Sequence, residues 1–289
     1  MPLIAVTGST GRIGSRVARA LSAAGTPVRL VGRDPARFPT LAGATAAAGA
    51  AYADTAAMTS ALRGVHTLFL VSAAESADRV REHRSAIDAA VAAGVQRIVY
   101  TSFLGAAADC TFTFGRDHFH TEAALAASGL RWTALRDAFY QDVLPSFVVD
   151  PGVLRGPAGD GALAAVAVDD VAEVAVTVLL DGTTTHDGQR HDLSGPAALT
   201  LDEVAAALTE HSGRTVGYER ETPAQAYASR AHLGAAPFEV DGWVSTYTAV
   251  ASGEMAPVTG TVERLTGHPA TSLRTTLERY PELLDGLRG

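Results

Sequence analysis

The 289-residue chain contains no lysine; all 23 of its basic residues are arginine. That absence removes a P-loop lysine, a Schiff-base nucleophile and any lysine acid–base catalyst. The abundance of Ala, Arg and Gly also fits a coding bias, which is the plainer reason for the missing lysine. Cys110 is the one cysteine. No intramolecular disulfide and no cysteine-built zinc cluster can form from it, and a reducing, cytoplasmic setting is expected. Positive charge is also scarce, with a formal net charge of −8. That argues against nucleic acid, whose phosphate backbone needs a basic surface. No apolar run approaches twenty residues, so no membrane-spanning helix is expected. The opening MPLIAVTGSTG has no basic leader and runs straight into a strand, so a signal peptide is not expected.

What is present is a large apolar fraction, 47%, against 19% charged residues. This predicts a sizeable core, in one large α/β domain or a core domain with a smaller lobe. Short apolar runs read as strands: LIAV (3–6), VRLV (28–31), LFLV (68–71), IVY (98–100), LRWTALR (130–136) and RHDLSG (190–195). Helical spacing fills the gaps: SRVARALSAAG closed by Gly25, Arg79–Ala93 closed by Gly94, and Thr-capped TLDEVAAALTEHSG closed by Gly213. In VAVDDVAEVAVTVLLDG (166–182), Asp169 or Asp170 is expected to cap the helix. The low-complexity AGATAAAGAAYA (42–53) reads as a surface loop or frayed helix, near a third strand expected just before Asp54. Strands alternating with helices give an α/β fold, a doubly wound parallel sheet of the Rossmann type. Residues 215–289 lack that alternation and read as a smaller C-terminal lobe.

The motif VTGSTGRIG (6–14) lies between the first strand and the first helix. There Gly8 permits a sharp turn, Gly11 lets backbone N–H groups reach a pyrophosphate, and Gly14 allows close helix–strand packing. The helix N-terminus favours the anionic phosphates. Gly8, Thr10, Gly11, Arg12, Ile13 and Gly14 are therefore candidate dinucleotide contacts. The second strand ends VGRDP (31–35), with Arg33 where an acidic residue would bind the ribose of NAD. A guanidinium can pair with a 2′-phosphate, which favours NADP(H) over NAD(H); Asp34 leaves a ribose contact open. Asp54 can bond the adenine amine or simply cap the next helix. Val71 and Ser72 after the fourth strand, and Thr101 and Phe103 at the end of the fifth, are expected along the cofactor.

The segments TGSTGRIG, VYTSFLGA (99–106) and HTEAALAASGLRWTALRDAFYQDVLP (120–145) resemble the atypical short-chain dehydrogenases/reductases. More narrowly they resemble the NmrA-like group that includes type 2 NAD(P)H:quinone oxidoreductases. EVDGWVSTYTAVASGEMAPVTGTVERLTGHP (239–269) is similar to that group's tail, so the resemblance covers nearly the whole chain. It implies an NAD(P)-binding Rossmann core (1–150), a substrate-loop segment returning to the core (151–198), a mainly substrate-binding lobe (199–289), and a cleft between core and lobe. It implies an NADPH-dependent reductase of a small conjugated acceptor such as a quinone. The alternatives are a ketone or enone reductase acting on an aromatic natural product and a non-catalytic NADP(H) sensor. The only partner expected is the small-molecule substrate, with no membrane and no nucleic acid; a homodimer is compatible with the sequence.

Short-chain reductases carry Tyr-x-x-x-Lys after the fifth strand; the matching spacing here is Phe114-Gly-Arg-Asp-His118. Phe114 has no proton to give. His118 is the first candidate for a ribose contact or proton relay, Tyr140 a second donor, and Ser102 a partner for the substrate oxygen. His118 and Glu122 share a helix face, but two ligands are too few for a closed metal site, and none is expected. Phe238, Trp243 and Tyr247 are either a lid or the core of the C-terminal lobe.

Overall fold

A computed structural model describes residues 2–149 and 152–288. Six strands come first: β1 (Ile4–Thr7), β2 (Val28–Val31), β3 (Ala44–Ala46), β4 (Thr67–Leu70), β5 (Arg97–Phe103) and β6 (Arg131–Asp137). The short β7 (Val148–Val149), β8 (Val153–Gly156) and β9 (Ala162–Leu163) follow, then β10 (Gln189–Leu193), β11 (Leu199–Thr200) and β12 (Gly217–Arg220). The longer helices are α1 (Arg12–Ala23), α2 (Thr55–Leu62), α3 (Arg79–Ala92), α4 (Thr113–Ala127), α5 (Val168–Leu180), α6 (Leu201–Ser212), α7 (Pro223–Arg230) and α8 (Pro237–Ala251).

The main sheet has seven strands in the order β10-β6-β5-β4-β1-β2-β3. The pairs β1–β2, β1–β4, β2–β3 and β4–β5 are parallel. This is the doubly wound order, and the chain reverses direction across the sheet between β1 and β4, where such folds bind ligands. Strands buried on both faces explain the short continuous apolar runs: every residue of β1 and β4 is buried. One core, with Leu68, Leu70, Ile98 and Tyr100 from the sheet and Met58, Leu62, Ala86 and Ile87 from α2 and α3, holds these layers together.

The chain divides into two compact units. The first contains residues 1–103, 117–136 and 171–191, and hence nearly all of the seven-stranded sheet. The second contains 104–116, 137–170 and 192–289. In the second unit Phe112 packs edge-on to Phe114 and Phe139, at 5.8 and 5.2 Å between ring centres. A Cβ on Gly242 would lie 2.1 Å from the Phe114 ring, so only glycine lets α8 close on it. Tyr247 is buried against Gly156 and Phe147 with the Arg230 guanidinium over its ring, which makes it core; Phe238 and Trp243 are half-buried.

Two local expectations need correction. Neither Asp169 nor Asp170 caps α5, because the helix begins before both. The Asp142 carboxylate accepts from Val168 N–H at 3.2 Å instead. Asp170 is turned to the backbone N–H and hydroxyl of Thr271, and Asp169 to Tyr280 and Arg279. The alanine-rich stretch is no frayed helix either: Ala44–Ala46 forms the edge strand β3 on β2. Small side chains carry little pattern for telling a strand from a loop, and the pairing decides.

Candidate functional site

In the first unit the chain leaves β1 through Gly8, whose φ of +59° is a glycine conformation. Gly11 N–H then bonds Gly8 C=O at 2.8 Å, closing the turn into α1. A Cβ on Gly14 would fall 2.3 Å from Gly8 O, so this contact requires glycine too. The N-cap of α1 is Gly11, which brings no capping side chain, and the first turn has no acidic residue. The positive end of the helix is therefore left for an anion. Thr10, Gly11 and Arg12 are exposed there, while Ile13 and Gly14 are buried under the turn.

Gly8, Ser9 and Thr10 share a pocket of about 290 Å³ with Val31, Gly32, Arg33, Asp34, Arg37 and Phe38. Arg33 and Arg37 are exposed, and neither guanidinium has a protein partner among the described residues. Asp34 Oδ1 accepts from Ala36 N–H at 3.1 Å and caps the 3₁₀ turn Pro35–Arg37, which holds Arg37 at this pocket. A helix N-terminus, a glycine turn and two unpaired guanidinium groups are the donor set of a phosphorylated dinucleotide, and these residues fit one. Arg37 was not singled out in the sequence; the signal was a second arginine four residues after Arg33. Asp54 caps α2, its Oδ1 accepting from Ala57 N–H at 2.9 Å.

The ends of β4 and β5 carry the other candidates in this unit. Thr101 Oγ1 accepts from Ser72 N–H at 2.7 Å. The Val71 side chain lies against Gly8. Phe103 is half-buried, its ring centre 6.0 Å from that of His118. His118 is only 5% exposed, with Nδ1 2.9 Å from the Tyr100 hydroxyl. Burial first, then the positive charge of Arg79 and neighbouring cationic groups, holds its pKa well below the ordinary imidazole value. His118 is thus neutral near pH 7 and does not reproduce the charge of a lysine ammonium. Ser102 donates to Glu122 at 2.5 Å. Glu122 also accepts from Arg136 at 2.7 and 2.8 Å and from Arg190 at 2.6 Å. Burial pushes the Glu122 carboxyl up, but these hydrogen bonds outweigh it and bring its pKa below the usual value. This buried cluster ties β5, α4, β6 and β10 together and engages the Ser102 hydroxyl proton.

In the second unit Tyr140 is half-buried and its hydroxyl donates to the buried Asp137 carboxylate. Phe114, at the position of the reductase tyrosine, is buried in the aromatic cluster. Cys110 is buried, donates to Phe112 C=O, and has its pKa raised chiefly by burial. Among the described residues, no group of three or more His, Cys, Asp or Glu is placed to hold a metal, and no helix is long and apolar enough to cross a membrane.

The sequence pattern of the NmrA-like family matches residues 2–280. The chain is 35% identical over 277 residues to quinone oxidoreductase 2 of Escherichia coli K12, covering 94% of this chain and 96% of that one. It is 34% identical over 284 residues to the (4-alkanoyl-5-oxo-2,5-dihydrofuran-3-yl)methyl phosphate reductase of Streptomyces griseus, covering 97% and 98%. With the NAD(P)H azoreductase of Xenophilus azovorans it shares 32% over 273 residues, covering 93% and 94%. The crystal structure of the NADPH-dependent quinone oxidoreductase of Escherichia coli complexed with NADPH matches with a TM-score of 0.85 at 34% identity, over 96% of this chain and 99% of that one. The glycine turn, the strand order and these full-length matches agree, and the chain belongs to the NmrA-like family.

Proposed function

We propose that this chain reduces a small, conjugated acceptor, most simply a quinone, by direct hydride transfer from NADPH without a side-chain acid. The relatives it matches over nearly their full length are reductases by name, and the chain is an oxidoreductase that uses NADP(H). When bound, NADPH supplies the hydride. The chain's own residues bind and orient it: the Gly8–Gly14 turn and the α1 N-terminus take the pyrophosphate, and Arg33 with Arg37 takes the 2′-phosphate.

One observation carries the acid-free reading: each candidate donor is spoken for. Phe114 has no acidic proton, His118 is a buried neutral imidazole with Nδ1 bonded to the Tyr100 hydroxyl, Ser102 donates to Glu122, and Tyr140 donates to Asp137. Tyr140 thus offers a substrate an acceptor oxygen rather than a proton. A quinone tolerates this, because its reduced oxyanion is delocalised and needs no protonation at the moment of transfer. A simple ketone yields a localised alkoxide and does need one. A conjugated enone is the second reading, favoured by similarity to the dihydrofuran phosphate reductase.

The test is NADPH consumption by the purified chain against quinones, enones and isolated ketones. Turnover on quinones, with isolated ketones at least about 100-fold slower, is expected from the 10²–10⁴-fold share that general acids contribute. Faster turnover on isolated ketones than on quinones overturns the reading. The 2′-phosphate assignment has its own check. Arg33→Ala is expected to raise the Kd for NADPH about 10- to 100-fold, the worth of one charged hydrogen-bonding group, and to leave NADH within about 3-fold. Equal losses for the two cofactors would place Arg33 elsewhere.

A further inference from the structure

Strand β4 leaves the sheet ladder at Leu70, and the three residues after it are held by side chains instead. Val71 N–H donates to Thr7 Oγ1 at 2.9 Å, and Val71 C=O accepts from the Tyr52 hydroxyl at 2.6 Å. Ser72 N–H donates to Thr101 Oγ1 at 2.7 Å. Ala73 is gripped on both sides of its residue: its N–H donates to His83 Nε2 at 2.8 Å, and its C=O accepts from Arg79 Nε at 2.9 Å. A segment that must keep one edge open to a ligand cannot pair there with another strand, so its backbone groups need other partners.

Arg79 and His83 stand four residues apart on α3 and face the same way. Both are buried, His83 completely. Arg79 is the first residue of its helix, where the dipole disfavours a cation. Burying these polar groups is unfavourable unless they are bonded; one bond from each converges on Ala73, and Arg79 also lies 3.9 Å from the Asp117 carboxylate. The imidazole is chemically defined. Because Nε2 takes a backbone N–H, it carries no proton, and the neutral ring holds its proton on Nδ1. Nδ1 lies 2.8 Å from Thr121 Oγ1, which in turn donates to Asp117 C=O at 2.7 Å.

We infer that His83 is a positioning residue for the cofactor: as an acceptor for Ala73 N–H it fixes the Val71–Ala73 segment beside the Gly8 turn, with Arg79 holding the opposite side. The inference rests on the NADP(H)-dependent reading above. His83 touches neither cofactor nor substrate in this role; it acts through the Ala73 peptide. Its low basicity, set by burial and the Arg79 charge, keeps Nε2 available as an acceptor through the neutral range.

Two substitutions separate this role from packing. In His83→Gln the amide oxygen reaches the place of Nε2. In His83→Asn it stops one methylene short, near the place of Nδ1. The readouts are hydrogen exchange at the Ala73 amide in the cofactor-free chain and NADPH Kd from nicotinamide fluorescence. His83→Asn is expected to speed Ala73 exchange by about 10-fold and to raise Kd about 3- to 10-fold, the scale of one hydrogen bond; His83→Gln returns both to within about 3-fold of wild type. Thr121→Val, which leaves His83 intact and removes its nearer Nδ1–H acceptor while the Tyr100 hydroxyl stays at 3.5 Å, is expected to raise Kd in the same direction by a smaller factor. Wild-type exchange and Kd in His83→Asn, or equal impairment in Asn and Gln variants, overturns the inference. Failure of the cofactor reading looks different: the wild-type chain itself leaves NADPH unbound, while the exchange contrast still reports on the His83 bond.

Discussion

Glu122→Ala is expected to lower the unfolding free energy by about 3–5 kcal/mol, the loss seen when one partner is removed from a buried ion pair. Glu122 is 1% exposed and accepts four hydrogen bonds, from Ser102, Arg136 and Arg190. Its removal strands unequal partners. Arg190 is 44% exposed at its side chain and lies over the Trp132 ring, so it can rehydrate. Arg136 is 17% exposed and loses the carboxylate that accepts two of its hydrogen bonds. Urea unfolding at pH 7.5 measures the loss. Glu122→Leu combined with Arg136→Met is expected to recover most of it, since the double change replaces both members of the buried ion pair with apolar side chains. A loss below about 1 kcal/mol for Glu122→Ala would show that water already screens the cluster, as at a surface pair.

Acid is expected to weaken the fold steeply below pH 6.5. Burial, and then the charge of Arg79, lowers the His83 pKa to about 3. In the unfolded chain the same histidine titrates near 6.5. Between these values the unfolded state binds a proton that the folded state refuses, so stability rises with pH across the window and falls as pH drops through it. The contribution is about 2 kcal/mol lost by pH 5, and on the order of 5 kcal/mol by pH 3. His118 shifts in the same direction and adds to the loss. Glu122, held below its ordinary value, contributes further loss as its own range is approached. Asp117 opposes the trend, because burial raises its pKa. Urea midpoints at pH 7.5 and 5.0 decide the matter; equal midpoints would mean that neither imidazole is buried neutral.

Much of the fold was legible, because central strands such as β1 and β4 are short apolar runs buried on both faces and α1, α3 and α6 close at Gly25, Gly94 and Gly213. The glycine turn was legible as a candidate cofactor end of the site, since its spacing is dictated by the backbone. Less legible was whatever depends on chain segments far apart in sequence. Asp142 caps α5 from 26 residues upstream, and no local pattern announces such a cap. Arg79 and His83 looked like ordinary helix residues until Ala73 was placed against them. Ser102 and Glu122, read separately as a substrate partner and a helix-face residue, proved to be bonded to each other. The Phe114 and His118 spacing was visible, but the burial of both side chains was not: Phe114 has no ionisable group, and His118 is held as a neutral imidazole without a fixed charge.

The central claim is hydride transfer without a protein acid, and the pH dependence of kcat tests it most directly. It should be followed with NADPH saturating and a benzoquinone as acceptor, from pH 6.5 to 9, above the range in which His83 takes up a proton. The expected profile is flat to within about 2-fold, because no donor has to be loaded before the hydride moves. A kcat that falls about 10-fold per pH unit on the alkaline side, and that loses this dependence in Tyr140→Phe or His118→Ala, would show a side-chain acid at work and contradict the claim.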